Sequence, residues 1–210
     1  MSGLTGNNIL SGSSGQATGY NIDQSLRFED GDSAYLNRTP ASASNRKTWT
    51  FSAWVKRGNL GISSKIFQQR ADSNVSQQFQ IAFQTDDTIR LIDQNGGTTQ
   101  GLYDTTAVYR DSSAWYHIVV ACDTTNATAS DRVKLYVNGV RVTNFSTTDN
   151  WPLNYNTSVN NTVRALIGVQ RPNSSGTLNA YLDGYLAEVN LIDGQALDAT
   201  AFGETNEDTN

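Results

Sequence analysis

Carboxylates in pairs are the first chemistry to look for. A glycosidase flanks the scissile bond with two of them, ~5–5.5 Å apart when retaining and ~6.5–9.5 Å apart when inverting. The nearest pair here on one extended segment is Glu188 and Asp193. Side chains alternate between the faces of a strand, so their odd separation sends them to opposite sides. Asp86-Asp87 reads as a turn pair in a solvated loop. Asp30 and Asp32, bent toward each other at Gly31, offer the oxygen donors that a hard cation such as Ca²⁺ takes. The same two residues also read as an ordinary turn. His117 is the single histidine and Cys122 the single cysteine. A His-cluster metal site, a Cys-based zinc site and an internal disulfide are therefore excluded. His117 reads as a structural, hydrogen-bonded histidine and Cys122 as a small buried side chain.

Strands must position these groups. Residues 115–142, WYHIVVACDTTNATASDRVKLYVNGVRV, read as strand, polar loop, strand, tight turn and strand. Tyr116, Ile118 and Val120 alternate with His117, Val119 and Ala121. Val133, Leu135 and Val137 make an apolar row with Lys134 and Tyr136 behind it. Asn138-Gly139 fits a type I′ hairpin, whose central residues both need positive φ. Residues 49–56, WTFSAWVK, put Trp49, Phe51, Ala53 and Val55 on one face. Further strands are expected at 65–69, 78–84, 88–93, 101–104, 164–169 and 181–192, with a polar loop around Trp151-Pro152. A single helical turn is expected from Asp198 to Phe202. About a dozen short antiparallel strands in one chain predict an all-β fold of two packed sheets, a β-sandwich or jelly roll.

The totals agree. A chain of 210 residues fits one domain of the larger all-β kind. Only 37% of it is hydrophobic and 17% charged, so polar turn-forming residues dominate, as in many short strands joined by loops. The net charge of −5 comes without a Lys/Arg cluster, which excludes nucleic acid and anionic membranes as partners. Residues 1–22 are Gly/Ser/Thr/Asn-rich and read as a flexible N-terminal arm. They contain no basic start followed by an apolar run, so no signal peptide is expected. No stretch approaches the ~18 apolar residues of a membrane span. The domain is placed at 23–203, followed by an acidic polar tail at 204–210 that either ends a short chain or runs on into further chain.

Four segments, in order, carry a resemblance. SLRFEDGDSAYL, WTFSAWVK, WYHIVVACDTT with VKLYVNGVRV, and LIGVQ with LDGYLAEVNLIDGQAL resemble the laminin G-like branch of the concanavalin A-like lectin/glucanase family. The likeness spans about residues 24–200 and implies a concanavalin A-like sandwich. Glucanases on this fold carry Glu-X-Asp-X-X-Glu, a string absent here, so no enzyme activity is expected. Calcium sites in the family imply Asp183 and Glu188 as companions to Asp30 and Asp32. Lectin sites set an aromatic platform beside amide and carboxylate groups in rim loops, which points to Trp151, Tyr155, Asn154, Tyr103 and Tyr109. Trp151 reads equally as a cap on the sandwich core or as part of a subunit interface. Any recognition is expected in the loops around the hairpin, above all 123–131 and the stretch around Trp151.

A narrower likeness joins SGSSGQATGY, AVYRDSSAWYHIV and YLDGYLAEVNLIDGQAL with FGETNEDT. These resemble laminin G-like domains in virion proteins of marine bacteriophages. The resemblance implies a tail, fibre or capsid-surface component, homo-oligomeric, assembled with other virion proteins and attaching to cell-surface glycans. The alternative it leaves open is a decoration or cement protein that binds no sugar.

Overall fold

The computed structural model describes residues 24–71, 77–171 and 177–203. The arm and the tail read from the sequence lie outside these residues. Thirteen strands are described: β1 (Leu26–Phe28), β2 (Leu36–Arg38), β3 (Thr48–Arg57), β4 (Ser64–Arg70), β5 (Gln78–Phe83), β6 (Ile89–Asn95), β7 (Thr98–Thr105), β8 (Trp115–Asp123), β9 (Val133–Val137), β10 (Val140–Arg141), β11 (Phe145–Asp149), β12 (Arg164–Ile167) and β13 (Gly184–Asp193). They form two sheets, ordered β1-β13-β3-β8-β9-β10 and β11-β7-β6-β5-β4-β12-β2. Every pairing among them is antiparallel. This is the sandwich that the alternating pattern predicts.

Alternation builds the core. Phe51 opposes Val120 and Val55 opposes Tyr116 on the inner face of one sheet. Phe79 and Ile81 of β5, with Leu91 of β6, face them from the other, and all but Tyr116 are essentially sealed. Trp49 meets Phe79 edge-on with ring centroids 5.0 Å apart. Each such side chain contributes roughly 1.5–3 kcal/mol by leaving water. The hairpin turns as its sequence dictates: Asn138 and Gly139 take φ of 50° and 80°. The Asn138 side-chain oxygen also accepts from the His117 amide at 2.8 Å, which locks the turn to β8.

Two elements depart from the sequence reading. β11 lies inside a segment expected to be loop. Its FSTTD sequence has one apolar residue, and its register against β7 shifts between Phe145 and Thr147. An exposed edge strand with a bulge carries no alternation to detect. β13 is bulged between Ala187 and Asn190, with Glu188 at φ 50°. The expected helical turn is a short 3-10 turn at Ala199–Ala201, capped by the Asp198 carboxylate, which accepts from the Thr200 amide.

Candidate functional site

The aromatic residues singled out as sugar contacts are largely structural. Trp151 is 0% exposed. Its ring lies flat against Gly101, where an added Cβ would sit 2.1 Å from Cδ2. Tyr103 meets Trp151 edge-on at 5.1 Å and donates from its hydroxyl to Asn150 Oδ1 at 2.6 Å. Tyr109 is buried against Tyr116, centroids 5.5 Å apart. Its carbonyl accepts from Arg57. Trp151 and Tyr109 therefore present no platform to solvent, and the expectation that these two contact sugar is corrected; Tyr103, 3% exposed, lies in the wall of the cleft described below. Trp151 caps the core because a Trp beside a glycine can fill the sandwich mouth. Asn154 is exposed at φ 59°, its amide tied to the Thr124 carbonyl at 2.7 Å. Tyr155 is half-buried.

Tyr155 leads to a residue that the sequence reading passed over. Its hydroxyl donates to Asp93 Oδ1 at 3.1 Å. Ser158 donates to the same carboxylate from its amide and its hydroxyl, each at 3.1 Å. Asp93 is 0% exposed. Burial pushes its carboxyl up to about 7, against the opposing pull of the Ser158 and Tyr155 hydrogen bonds. Burial raises the Tyr155 phenol too, and the Asp93 charge adds to it. With Trp49 Nε1 donating to Thr157 Oγ1 at 2.9 Å, this network pins the 150–160 loop onto the sandwich. The signal was present: Ile89, Leu91 and Asp93 occupy alternate positions, so Asp93 shares the core-facing row.

Beside this pinned loop lies an open cleft of about 430 Å³. It sits where the edge strands β10 and β11 leave the sandwich open. Tyr103, Val142 and Phe145 form its apolar wall, and Thr148, Asn150, Asp131, Lys134 and Arg141 supply polar groups. Phe145 stacks on Tyr103 at 4.6 Å and remains partly exposed. Asp131 pairs with Arg141 at 2.7 Å and Lys134 at 3.8 Å. A smaller cleft of about 190 Å³ lies across Asp131 and Lys134, walled by Asp123, Tyr136 and Asp198. Its acids are occupied locally: Asp123 accepts from the Thr125 hydroxyl at 2.6 Å and Asp198 from the Thr200 hydroxyl at 2.5 Å. Both clefts border the 123–131 loop, and the larger one also borders the Trp151 stretch. Phe145 was not singled out, since nothing in the sequence marked β11 as a strand; Arg141 lies on β10, which was read as a strand, but its place beside Asp131 was not.

The calcium set does not assemble. Asp183 comes near Asp30 and Glu29: burial, then those two charges, raise its carboxyl. Asn59 donates to Asp30 Oδ2 at 3.2 Å. Asp32 is exposed on the turn. Glu188 lies five residues along from Asp183, which is ~16 Å on an extended strand. It acts instead on His117, opposing the burial that lowers the imidazole. Among the described residues no three Asp, Glu, His or Cys side chains converge to hold a metal ion. His117 lies 5% exposed, with Nε2 3.0 Å from Ser52 Oγ and its ring stacked on Trp54 at 4.7 Å.

Comparison with known proteins places this architecture. Residues 30–201 match the family model described as Concanavalin A-like lectin/glucanases superfamily. No curated protein matches the chain. Among solved structures, it is similar to a native heptameric SAP-like pentraxin from Limulus polyphemus, at 16% identity and TM-score 0.53, covering 85% of this chain and 76% of that one. The K499G mutant of NanB sialidase from Streptococcus pneumoniae gives 14% and 0.60, covering 87% of this chain and 27% of the sialidase. The CBM40 of the Ruminococcus gnavus IT-sialidase, bound to alpha2,3 sialyllactose, gives 13% and 0.55, covering 79% and 95%. At these identities the likeness is one of fold.

Proposed function

Because the chain belongs to the concanavalin A-like lectin/glucanase superfamily, we propose that it is a non-enzymatic, lectin-like attachment domain of a bacteriophage virion. In this reading it holds host-surface glycans in the cleft between β10 and β11. The cleft itself carries the reading. Phe145 gives an apolar ring face for sugar C–H groups, and Asn150, Thr148 and the Asp131–Arg141 pair give donors and acceptors for hydroxyls. The pinned 150–160 loop holds Asn150 in place before any ligand arrives, which reduces the ordering cost of binding. Glycan recognition by a shared fold also fits the CBM40 likeness.

The non-enzymatic part rests on the acids. Asp131 is the single carboxylate lining the cleft and is paired with two cations, whereas most glycoside hydrolases work with a pair of carboxyl groups. Asp193 is engaged by the Asn45 amide and the Asn160 side chain, both at 3.0 Å. The virion context rests on the likeness of the segments around AVYRDSSAWYHIV and YLDGYLAEVNLIDGQAL to phage structural proteins. Partners in this setting are other virion proteins and further copies of the chain.

A second reading, architectural decoration without sugar binding, is favoured by one observation. The opposite edge of the sandwich exposes Leu26, Leu36, Val189 and Leu191, on or beside β1, β2 and β13, and large apolar groups gathered at an edge suit a protein contact. A glycan array separates the two. The attachment reading expects hits that Phe145→Ala and Asn150→Ala abolish without loss of fold. A blank array from folded protein leaves the architectural reading. Locating the domain in an assembled particle tests the virion context separately, and absence from particles contradicts it.

A further inference from the structure

Three leucines on the core side of the sandwich lie uncovered. Strand register puts Leu26 in the row of Leu186 and Val55, Leu191 in the row of Phe51 and Val120, and Leu36 in the row of Ile167 and Phe67. Leu186, Val55, Phe51, Val120 and Phe67 are at most 3% exposed. Leu26, Leu191 and Leu36, at the ends of those rows, are 55%, 40% and 46% exposed. One exposed leucine is ordinary. Three in core-facing positions along one edge mark a place where the core lacks its cover.

The backbone at this edge is unfinished in the same place. β13 has 10 residues, and β1 pairs with three of them, Gly184, Tyr185 and Leu186. A one-residue bulge follows, since Ala187 faces Trp54 and Asn190 faces Ser52. Past it, residues 190–193 pair with β3 alone among the described strands. A strand edge of this kind is a template for further pairing.

We propose that this edge is a docking surface for the chain's own residues 20–23, which continue β1 along β13 and seat Ile22 and Tyr20 against the uncovered leucines. The existing register fixes the partners. Counting back from Leu26 opposite Leu186, with the bulge taken up at Gln24, sets Asp23, Ile22, Asn21 and Tyr20 opposite Asn190, Leu191, Ile192 and Asp193. Side chains alternate between faces. Ile22 and Tyr20 therefore fall on the core side, Ile22 beside Leu191, while Asp23 and Asn21 face solvent. Tyr20 and Ile22 are the only large apolar residues in 11–24, and a slip of one residue would turn both outward. Four residues at ~3.3 Å each reach ~13 Å, the length of 190–193. Their tether at Gln24 holds them near the edge at an effective concentration in the ~mM range, which a second copy or another protein must match to displace them. The domain then starts at Tyr20, and the apolar edge is completed within one chain. The β10–β11 cleft lies at the opposite edge, and this docking does not depend on it.

Paired cysteines in the whole chain test this. Directly opposed residues of an antiparallel pair have Cα atoms ~4.5–5.5 Å apart, within the ~4.4–6.8 Å that a disulfide spans. Ile22→Cys with Leu191→Cys should therefore close a disulfide within one chain under mild oxidation. Ile22→Cys with Val140→Cys, on the far edge strand β10 and 70% exposed, should not. The native Cys122 is 0% exposed and does not compete. No disulfide from the first pair, or equal yields from both pairs, overturns the proposal. A disulfide that joins two chains gives this edge to an oligomer contact and also overturns it. If a cysteine pair does not fold, single substitutions decide by urea unfolding. Ile22→Asp, which removes an apolar side chain from the core face, should lower the folding equilibrium constant ten-fold or more. Asn21→Asp, on the solvent face, should change it by no more than about two-fold. Equal effects of the two substitutions overturn the proposal.

Discussion

Asp93 should make the protein more stable as pH falls from 8 to 5, and Asp93→Asn should remove that gain. The carboxyl is sealed inside the sandwich with three hydrogen bonds and no cation in contact. Its folded-state value near 7 stands about 3 units above an ordinary aspartate. A raised folded value means that the native state binds the proton first. Above pH 7 both states are ionised and the native state carries a buried charge. Between pH 7 and about 4 only the native group is protonated, so stability rises as pH falls. Integrated from pH 8 to 5, the gain is about 3 kcal/mol. His117 works in the opposite direction: burial lowers its folded value, so the unfolded chain takes its proton first below ~6.5. The difference between wild type and Asp93→Asn cancels that contribution. Urea unfolding of both proteins at pH 8, 7, 6 and 5 gives the measurement. Parallel pH profiles for the two proteins, or a wild type that loses stability relative to the variant on acidification, would refute the reasoning.

Other consequences are simpler to read. Gly101→Ala drives a Cβ into the Trp151 ring; it should cost at least 1–3 kcal/mol, the range for overpacking, and shift the tryptophan fluorescence. Asp87→Asn leaves Arg57, 1% exposed at its side chain and held by Asp87 at 2.9 Å, as an unpaired interior cation. A loss of about 3–5 kcal/mol in denaturant unfolding is expected. Asp183→Asn relieves repulsion from Asp30 and Glu29 and should stabilise by up to about 1 kcal/mol, the scale of partly screened charges. Calcium held between these acids would reverse that sign, and added calcium would then raise the wild-type melting temperature.

Alternation carried the fold. WTFSAWVK and the hairpin at 133–141 were legible because each strand hides one face, so its residue types repeat with period two. Asn138-Gly139 was legible because few residue pairs accept two positive φ values. The site was less so. Trp151 read both as a sugar contact in a rim loop and as a cap on the core, because it precedes a proline in a polar loop, and only the approach of Gly101 from β7 shows that the cap holds. Phe145 is one apolar residue in a polar edge strand, and its neighbours in the cleft come from β7, β9 and β10. Such contacts belong to strand order, which local pattern does not encode.

The central claim is that the β10–β11 cleft receives a glycan. The structure of this chain bound to a saccharide taken from the array, at a concentration near its Kd, tests it most directly. The account predicts a sugar ring against Phe145, with hydroxyls on Asn150 and Asp131 and the Trp151 ring unmoved. Sugar bound elsewhere while the cleft stays open to solvent would contradict it.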